Sequence, residues 1–144
     1  MNSLPIELTA LLPLWIVSAG ALSLLLLEVV FHEEGRKIAP LWTGTILILA
    51  LGSVFRLLSL KGVAGSYFNG TVVVDYYSLT LEGICLLSAL LTCAFSASYL
   101  KRERAVTGEY FALLLLAVAG MFTLVLASDF LTFFVGLELM SLAA

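Results

Sequence analysis

Charged residues are scarce in this chain of 144 residues: they make up only 12% of it, whereas hydrophobic residues make up 62%. A water-soluble protein of this length needs many more polar side chains to cover its surface. The composition therefore excludes a soluble globular protein and indicates an integral membrane protein. The formal net charge of -3 carries little information, because the position of each Lys and Arg matters more than the total in a membrane protein.

Residues that bind metals and redox centres are also rare, with two cysteines and one histidine. Cys85 and Cys93 lie eight positions apart in an apolar segment without a nearby His, so we interpret them as small buried apolar residues. We interpret His32, beside Glu33 and Glu34, as a solvated loop residue. The sequence has no phosphate-binding loop, dinucleotide fingerprint or cysteine cluster. We therefore expect this chain to bind no metal and no redox cofactor.

Long apolar segments are abundant by contrast, and four of them reach the length of about 17 to 25 residues that a transmembrane helix needs. These four and a shorter fifth are predicted at 8–31, 40–60, 77–100, 110–127 and 130–144. The fifth extends only about 22 Å as a helix, less than a hydrocarbon layer of about 30 Å. We expect it to be truncated, in a chain that is incomplete at its carboxyl end. The predicted fold is all-α, a polytopic transmembrane helix bundle forming a single domain.

Basic residues predict the orientation in the membrane. Five basic residues lie next to one side of the membrane and two lie next to the other. The five are Arg36, Lys37, Lys101, Arg102 and Arg104, and the two are Arg56 and Lys61. Because cytoplasmic loops carry the excess of Lys and Arg, the amino terminus is predicted to lie outside. A bacterial inner membrane with a periplasmic amino terminus is the preferred location, and an organelle membrane is the alternative.

Two connections between the spans carry local structural signals. Asn69-Gly70, which stands between aromatic residues and a Val run, predicts a β-hairpin with a type I′ turn on the outer surface. Only Ser128 and Asp129 separate the fourth and fifth spans, which must therefore be antiparallel neighbours. Either of these two residues can cap the fifth helix.

Glu138 is the most unusual residue, because the segment from Phe130 onwards is otherwise without charge. In a helix it lies about 12 Å from Phe130, near the middle of the hydrocarbon layer. An ionised carboxyl group costs about 2.5 to 3.5 kcal/mol there, even on lenient insertion scales. Such residues mark proton or cation pathways, so Glu138 is the candidate proton-relay residue. Ser141 lies on the same helix face and is a candidate hydrogen-bond partner, water ligand or packing residue.

A structural role for Glu138 is the alternative. A carboxyl group that stays protonated would donate one interhelical hydrogen bond and carry no proton during turnover. A relay also needs a movable cation, and no Lys or Arg lies in the interior of any predicted span. That cation must come from further helices or from another subunit.

Glu28, Asp75 and Glu82 are further acidic residues in or beside the spans. Glu28, near the inner end of the first span, and Asp75, just before the third, are predicted to reach headgroups and water. Glu82 lies about 7 to 9 Å inside the third span, deep enough to need a protein-facing or hydrated site. The sequence leaves a functional role for Glu82 open.

The segment from Leu126 to Leu142, LASDFLTFFVGLELMSL, resembles the region of the fifth transmembrane helix in the antiporter-like subunits of respiratory complex I. Within that family the resemblance is closest to the subunit N branch, the counterpart of mitochondrial subunit 2. The opening Leu11-Leu12-Pro13 and the stretch from Val74 to Ser78 are similar to the first and third helices of that branch. The chain then looks like the amino-terminal part of a larger subunit.

The resemblance implies a membrane subunit of a proton-translocating NADH:quinone oxidoreductase, without redox chemistry of its own. Glu138 would be one of a chain of ionisable residues at the membrane centre and would work with a Lys on a later helix. NADH, flavin, iron–sulfur clusters and quinone are expected in other subunits. The expected partners are the other membrane subunits of the complex and the lipid bilayer, and no nucleic acid. A cation/proton antiporter or membrane-hydrogenase subunit and a structural membrane bundle remain the alternatives.

Overall fold

The computed structural model describes the backbone of residues 8–60, 64–103 and 107–144, and their side chains except those of 31–37, 101–103 and 107. The prediction for His32 and the charged groups of all basic residues except Arg56 therefore lie outside the described residues. Within these described residues the main elements are four α-helices and one β-hairpin, whose turn includes a short 3-10 segment at Phe68–Gly70. In chain order they are α1 (Leu12–Ser59), β1 (Gly65–Tyr67), β2 (Val72–Val74), α2 (Tyr76–Glu103), α3 (Thr107–Leu126) and α4 (Phe130–Ala143).

Helix α1 contains the first two predicted spans and folds back on itself. Trp42 Nε1 donates a hydrogen bond to Ser23 Oγ at 3.1 Å, although 19 residues of straight helix would separate them by about 28 Å. A methyl group built on Gly20 would also lie 2.6 Å from Ile46 Cγ2. The element is therefore a helical hairpin, with a first arm at Leu12–Val30 and a second arm at Ile38–Ser59.

The two arms of α1, most of α2 and nearly all of α3 are each long and apolar enough to cross a membrane. Helix α4 is apolar but shorter. Each backbone amide and carbonyl inside a helix is paired within it, which is why a helix is stable in a medium without water. The all-α, polytopic fold predicted from the apolar segments is confirmed.

Helix α3 occupies the centre of the bundle and packs against α1, α2 and α4. Its side chains at Phe111, Leu115, Val118 and Phe122 recur at helical spacing and have no solvent exposure. These large side chains are removed from solvent and lipid, and they fill the space between the other helices. The central position of α3 fixes the positions of α2 and α4 on either side of it.

The predicted β-hairpin is present. Strands β1 and β2 pair antiparallel, with Tyr67 opposite Val72. Asn69, at φ 57° and ψ 27°, and Gly70, at φ 91°, have the left-handed backbone of a type I′ turn. The Thr71 amide closes the turn by donating to the Phe68 carbonyl at 3.2 Å.

The hairpin is attached to the connection between α3 and α4. The Ser128 amide donates to the Thr71 carbonyl at 3.0 Å, and Val72 forms an isolated bridge with Ala127. We call this part of the molecule, residues 65–74 together with Ser128 and Asp129, the hairpin end. Helices α2 and α4 both begin there.

Candidate proton-transfer site

Helix α4 carries Glu138, and its start is fixed by a side-chain cap. Asp129 Oδ1 accepts a hydrogen bond from the Thr132 amide at 2.6 Å, so Asp129 is the N-cap, one of the two residues that the sequence offered for this role. The hydrogen bond from Thr132 holds the pKa of the Asp129 carboxyl below its usual value. The ninth residue of the helix after this cap is Glu138.

Two glycines set the rotation of α4 against α3. A methyl group built on Gly120 would lie 2.7 Å from the Met140 backbone nitrogen, and one on Gly136 would lie 2.9 Å from the Leu124 backbone nitrogen. Contacts this short to backbone atoms leave no space for any larger residue. The helices therefore run antiparallel in direct backbone contact, as predicted for neighbours joined by a short turn.

This contact turns Glu138 away from α3. Gly136 is buried against α3, and two residues of helix rotate the side chain by about 200°. Glu138 is accordingly exposed on the outer face of α4, among the exposed apolar side chains of Phe134, Leu137 and Leu142. Within the part of the chain that the structure describes, its carboxylate makes no hydrogen bond and no ion pair.

Ser141 lies beside Glu138 but does not contact its carboxylate. The Ser141 hydroxyl donates to the backbone carbonyl of Glu138 at 3.1 Å. The structure therefore shows the Ser141 hydroxyl bonded to the helix backbone and not to the carboxyl group, while the roles of water ligand and packing residue stay predictions. Any partner of the Glu138 carboxylate must approach from the exposed face of α4.

Glu82 on α2 has the opposite environment. Its side chain is only 2% exposed, inside the bundle, and Oε2 has no hydrogen-bond partner among the described residues. The sequence placed Glu82 deep enough in its span to need a protein-facing or hydrated site, and the structure places it facing protein. The sequence did not predict which face of α2 is buried, because apolar residues occur on every face of this helix.

Asp75 and Glu28 both lie at helix starts. Asp75 Oδ1 accepts from the Ser78 amide at 2.6 Å, and Ser78 Oγ accepts from the Asp75 amide at 2.9 Å, a reciprocal cap at the start of α2. The Glu28 carboxylate lies over Gly108, where a methyl group would be 2.5 Å from it. Glu28 is thus close to the positive end of the α3 dipole, which favours a carboxylate.

Neither cysteine lies in a ligand cluster. Cys93 is buried and its thiol donates to the Pro40 carbonyl at 3.7 Å, while Cys85 is half-buried. Among the described residues there is no group of three or more His, Cys, Asp or Glu side chains that could hold a metal ion. The absence of bound cofactors in this chain stays a prediction.

Comparison with known proteins gives a consistent set of relatives, although no family model matches the chain. NADH-quinone oxidoreductase subunit N of Chloroflexus aggregans is 36% identical over 140 residues, which is 96% of this chain and 28% of that protein. The subunit N of Paramagnetospirillum magneticum is 35% identical, over 96% of this chain and 28% of that protein. The subunit N of Methylovorus glucosotrophus is 34% identical, over 99% of this chain and 29% of that protein.

The chain thus spans less than a third of the length of these relatives. The similarity nevertheless extends along almost all of its own residues, including the segment that carries Glu138. This shared sequence places the chain in the subunit N family of NADH-quinone oxidoreductases, over the part of those proteins that it spans.

Proposed function

We propose that this chain is part of a proton-translocating membrane subunit of an NADH:quinone oxidoreductase, and that Glu138 is its proton-relay residue. The subunit moves protons across the membrane while quinone is reduced elsewhere in the complex. The observation that carries the proposal is the position of Glu138. It is a carboxyl group about 12 Å along an otherwise uncharged helix, exposed on the face turned away from the bundle.

The environment of Glu138 suits a group whose partner changes. A carboxyl group that is surrounded by apolar side chains favours the neutral acid, while a nearby cation favours the carboxylate. A Lys that approaches the exposed face of α4 and then leaves would therefore make Glu138 release and rebind a proton. Because no described residue forms a hydrogen bond or an ion pair with the carboxylate, that face is open to such a partner.

The proposal assigns the remaining chemistry to other chains. The oxidation of NADH and the reduction of quinone, with their flavin and iron–sulfur clusters, occur in other subunits, and this chain acts as a translocase without redox centres. Its partners are the other membrane subunits of the complex and the lipid around the apolar spans. The amino terminus faces the outside of a bacterial inner membrane, so the hairpin end is periplasmic.

A cation/proton antiporter or membrane-hydrogenase subunit is the nearest alternative, and a structural bundle is the other. In the structural alternative Glu138 donates a permanent hydrogen bond to another helix. Since no such bond is made to a described residue, the structural role would also depend on a partner outside this part of the chain.

The substitution Glu138→Gln in the full-length subunit tests the relay, because the amide keeps the shape and hydrogen-bonding ability of the carboxyl group but does not transfer its proton. The rates of NADH-driven proton uptake into vesicles and of NADH oxidation are measured on the assembled complex. We expect uptake to fall at least tenfold. Ser141→Ala is the matched control on the same helix face, and it should retain uptake because its hydroxyl bonds only to the backbone.

Normal uptake by an assembled Glu138→Gln complex would contradict the relay and support the structural role. A wild-type complex without any NADH-linked activity would instead support the antiporter alternative. The variant Glu138→Asp, which retains a carboxyl group, should recover part of the uptake that Glu138→Gln loses.

A further inference from the structure

Glu82 is a second carboxyl group at membrane depth, and the relay described above does not use it. Its side chain is 2% exposed, and Oε2 has no hydrogen-bond partner among the described residues. Buried polar atoms in proteins nearly always have a partner, either a protein group or an ordered water. An orphaned carboxyl oxygen inside the bundle therefore indicates a site for an internal water.

Among the described residues of the bundle, no positively charged side chain lies beside Glu82. Helix α2 packs against α1 and α3. On α1 the described basic residue nearest this level is Arg56, whose side chain is exposed, and on α3 Glu109 and Tyr110 lie at the far end. Cys85 follows Glu82 by one helical turn on α2. An ionised Glu82 would therefore be uncompensated unless water entered, whereas the neutral acid fits the packed bundle.

The register of α2 against α3 fixes the depth of Glu82. The helices are antiparallel, and Ser96 Oγ lies 2.7 Å from the Tyr110 hydroxyl. Glu82 precedes Ser96 by 14 residues, and Leu124 follows Tyr110 by 14 residues. Because both helices rise by the same amount per residue, Glu82 lies within about one helical turn of the level of Leu124.

The register of α3 against α4 then relates this level to Glu138. A methyl group on Gly136 would lie 2.9 Å from the backbone nitrogen of Leu124, so Gly136 shares the level of Leu124. Glu138 is two residues further along α4, a displacement of about 3 Å along the helix axis. The two carboxyl groups therefore lie at similar depths, Glu82 inside the bundle and Glu138 outside it.

We infer that Glu82 is a second proton-binding site, at a depth similar to that of Glu138, which exchanges its proton with an internal water during turnover. An O–H bond forms on the carboxylate as an O–H bond of the hydrated proton breaks, and the reverse step returns the proton to the water. Helix α3 packs against both α2 and α4 and separates the two carboxyl groups, so the inference includes no direct proton transfer between them. The inference rests on the proposed function, since it concerns proton movement by the same subunit.

Infrared difference spectroscopy of the full-length subunit in its complex tests this site. Spectra at rest and during NADH oxidation are recorded in H2O and in D2O, where a carboxyl band that exchanges its proton with water shifts. We expect a carboxyl band that shifts in D2O, is lost in Glu82→Gln and persists in Glu138→Gln. The rate of proton uptake should fall severalfold in Glu82→Gln. The control Thr80→Val changes an exposed side chain of the same helix and should keep both the band and the uptake.

The outcomes separate this site from the relay. If Glu82→Gln leaves every exchangeable band and the uptake unchanged while Glu138→Gln abolishes uptake, the second site is wrong and the relay stands. If neither variant affects uptake, both are wrong. Should Glu82→Gln fail to assemble, Glu82→Asp replaces it: the inference requires a displaced band that still shifts in D2O, and a band that does not exchange overturns it.

Discussion

Asp129 and Asp75 show how single polar residues begin helices at the hairpin end. Each accepts a hydrogen bond from the backbone amide three residues later, Thr132 for Asp129 and Ser78 for Asp75. The first amides of a helix have no partner within it, so these bonds remove unsatisfied donors. The sequence predicted a cap before α4 because such caps depend only on neighbouring residues.

The Asp129 cap leads to a prediction about pH. Because the pKa of Asp129 is lowered in the folded protein, its contribution to stability is present above the unfolded pKa of about 3.9 and is lost as pH falls through the lowered folded pKa. We expect Asp129→Ala to lower the unfolding temperature at pH 7, and this difference to shrink at strongly acidic pH. Thermal unfolding of the purified full-length subunit measures it. A difference that stays constant as the pH falls would contradict the assignment.

The environments of Glu82 and Glu138 could be predicted only in part from the sequence, which indicated a protein-facing or hydrated site for Glu82 but not the buried face of either helix. Both residues interrupt apolar helices, and the depth of each follows from its position along the helix. Which face is buried depends on which helix packs against it. Glu82 faces the bundle interior because α2 rests on α1 and α3, whereas the Gly136 contact turns Glu138 outwards.

At the level of helices, the contact between α3 and α4 depends on glycine. A methyl group at Gly136 would lie 2.9 Å from a backbone nitrogen and 3.2 Å from the Gly120 carbonyl oxygen, and neither atom can move unless the helices separate. We expect Gly136→Ala to destabilise the subunit by about 1 to 3 kcal/mol, the usual range for overpacking, and to reduce proton uptake by displacing Glu138.

A matched control is available within α1. Gly52 has no atom within 4 Å of an added methyl group, so Gly52→Ala should leave stability unchanged or raise it by about 0.4 to 1 kcal/mol. Thermal unfolding and uptake are compared for both variants. Equal effects of Gly136→Ala and Gly52→Ala would show that the close contact has no special role.

The helices themselves followed from the sequence because length and apolarity decide what can span a bilayer. The type I′ turn was predictable for a similar reason, since Asn69 and Gly70 tolerate a left-handed backbone. The attachment of the hairpin to Ser128 could not be predicted, because that hydrogen bond joins segments far apart in the chain.

For the whole molecule, the proposed orientation makes a prediction about accessibility. Ser66→Cys places a thiol in the exposed hairpin, and Lys37→Cys places one in the connection between the first two spans. A membrane-impermeant thiol reagent added to intact cells with a permeable outer membrane should label Ser66→Cys and not Lys37→Cys. The opposite pattern would invert the orientation. Wild type, with Cys85 half-buried and Cys93 buried in one span, provides the background.

The proton stoichiometry of the Glu138→Gln complex is the measurement that decides whether this subunit translocates protons through Glu138. The number of protons taken up per NADH oxidised is determined in sealed vesicles, so that a slower enzyme is distinguished from one that pumps less. We predict a lower ratio for Glu138→Gln than for wild type and for Ser141→Ala. An unchanged ratio in a fully assembled complex would contradict a role for Glu138 in proton translocation.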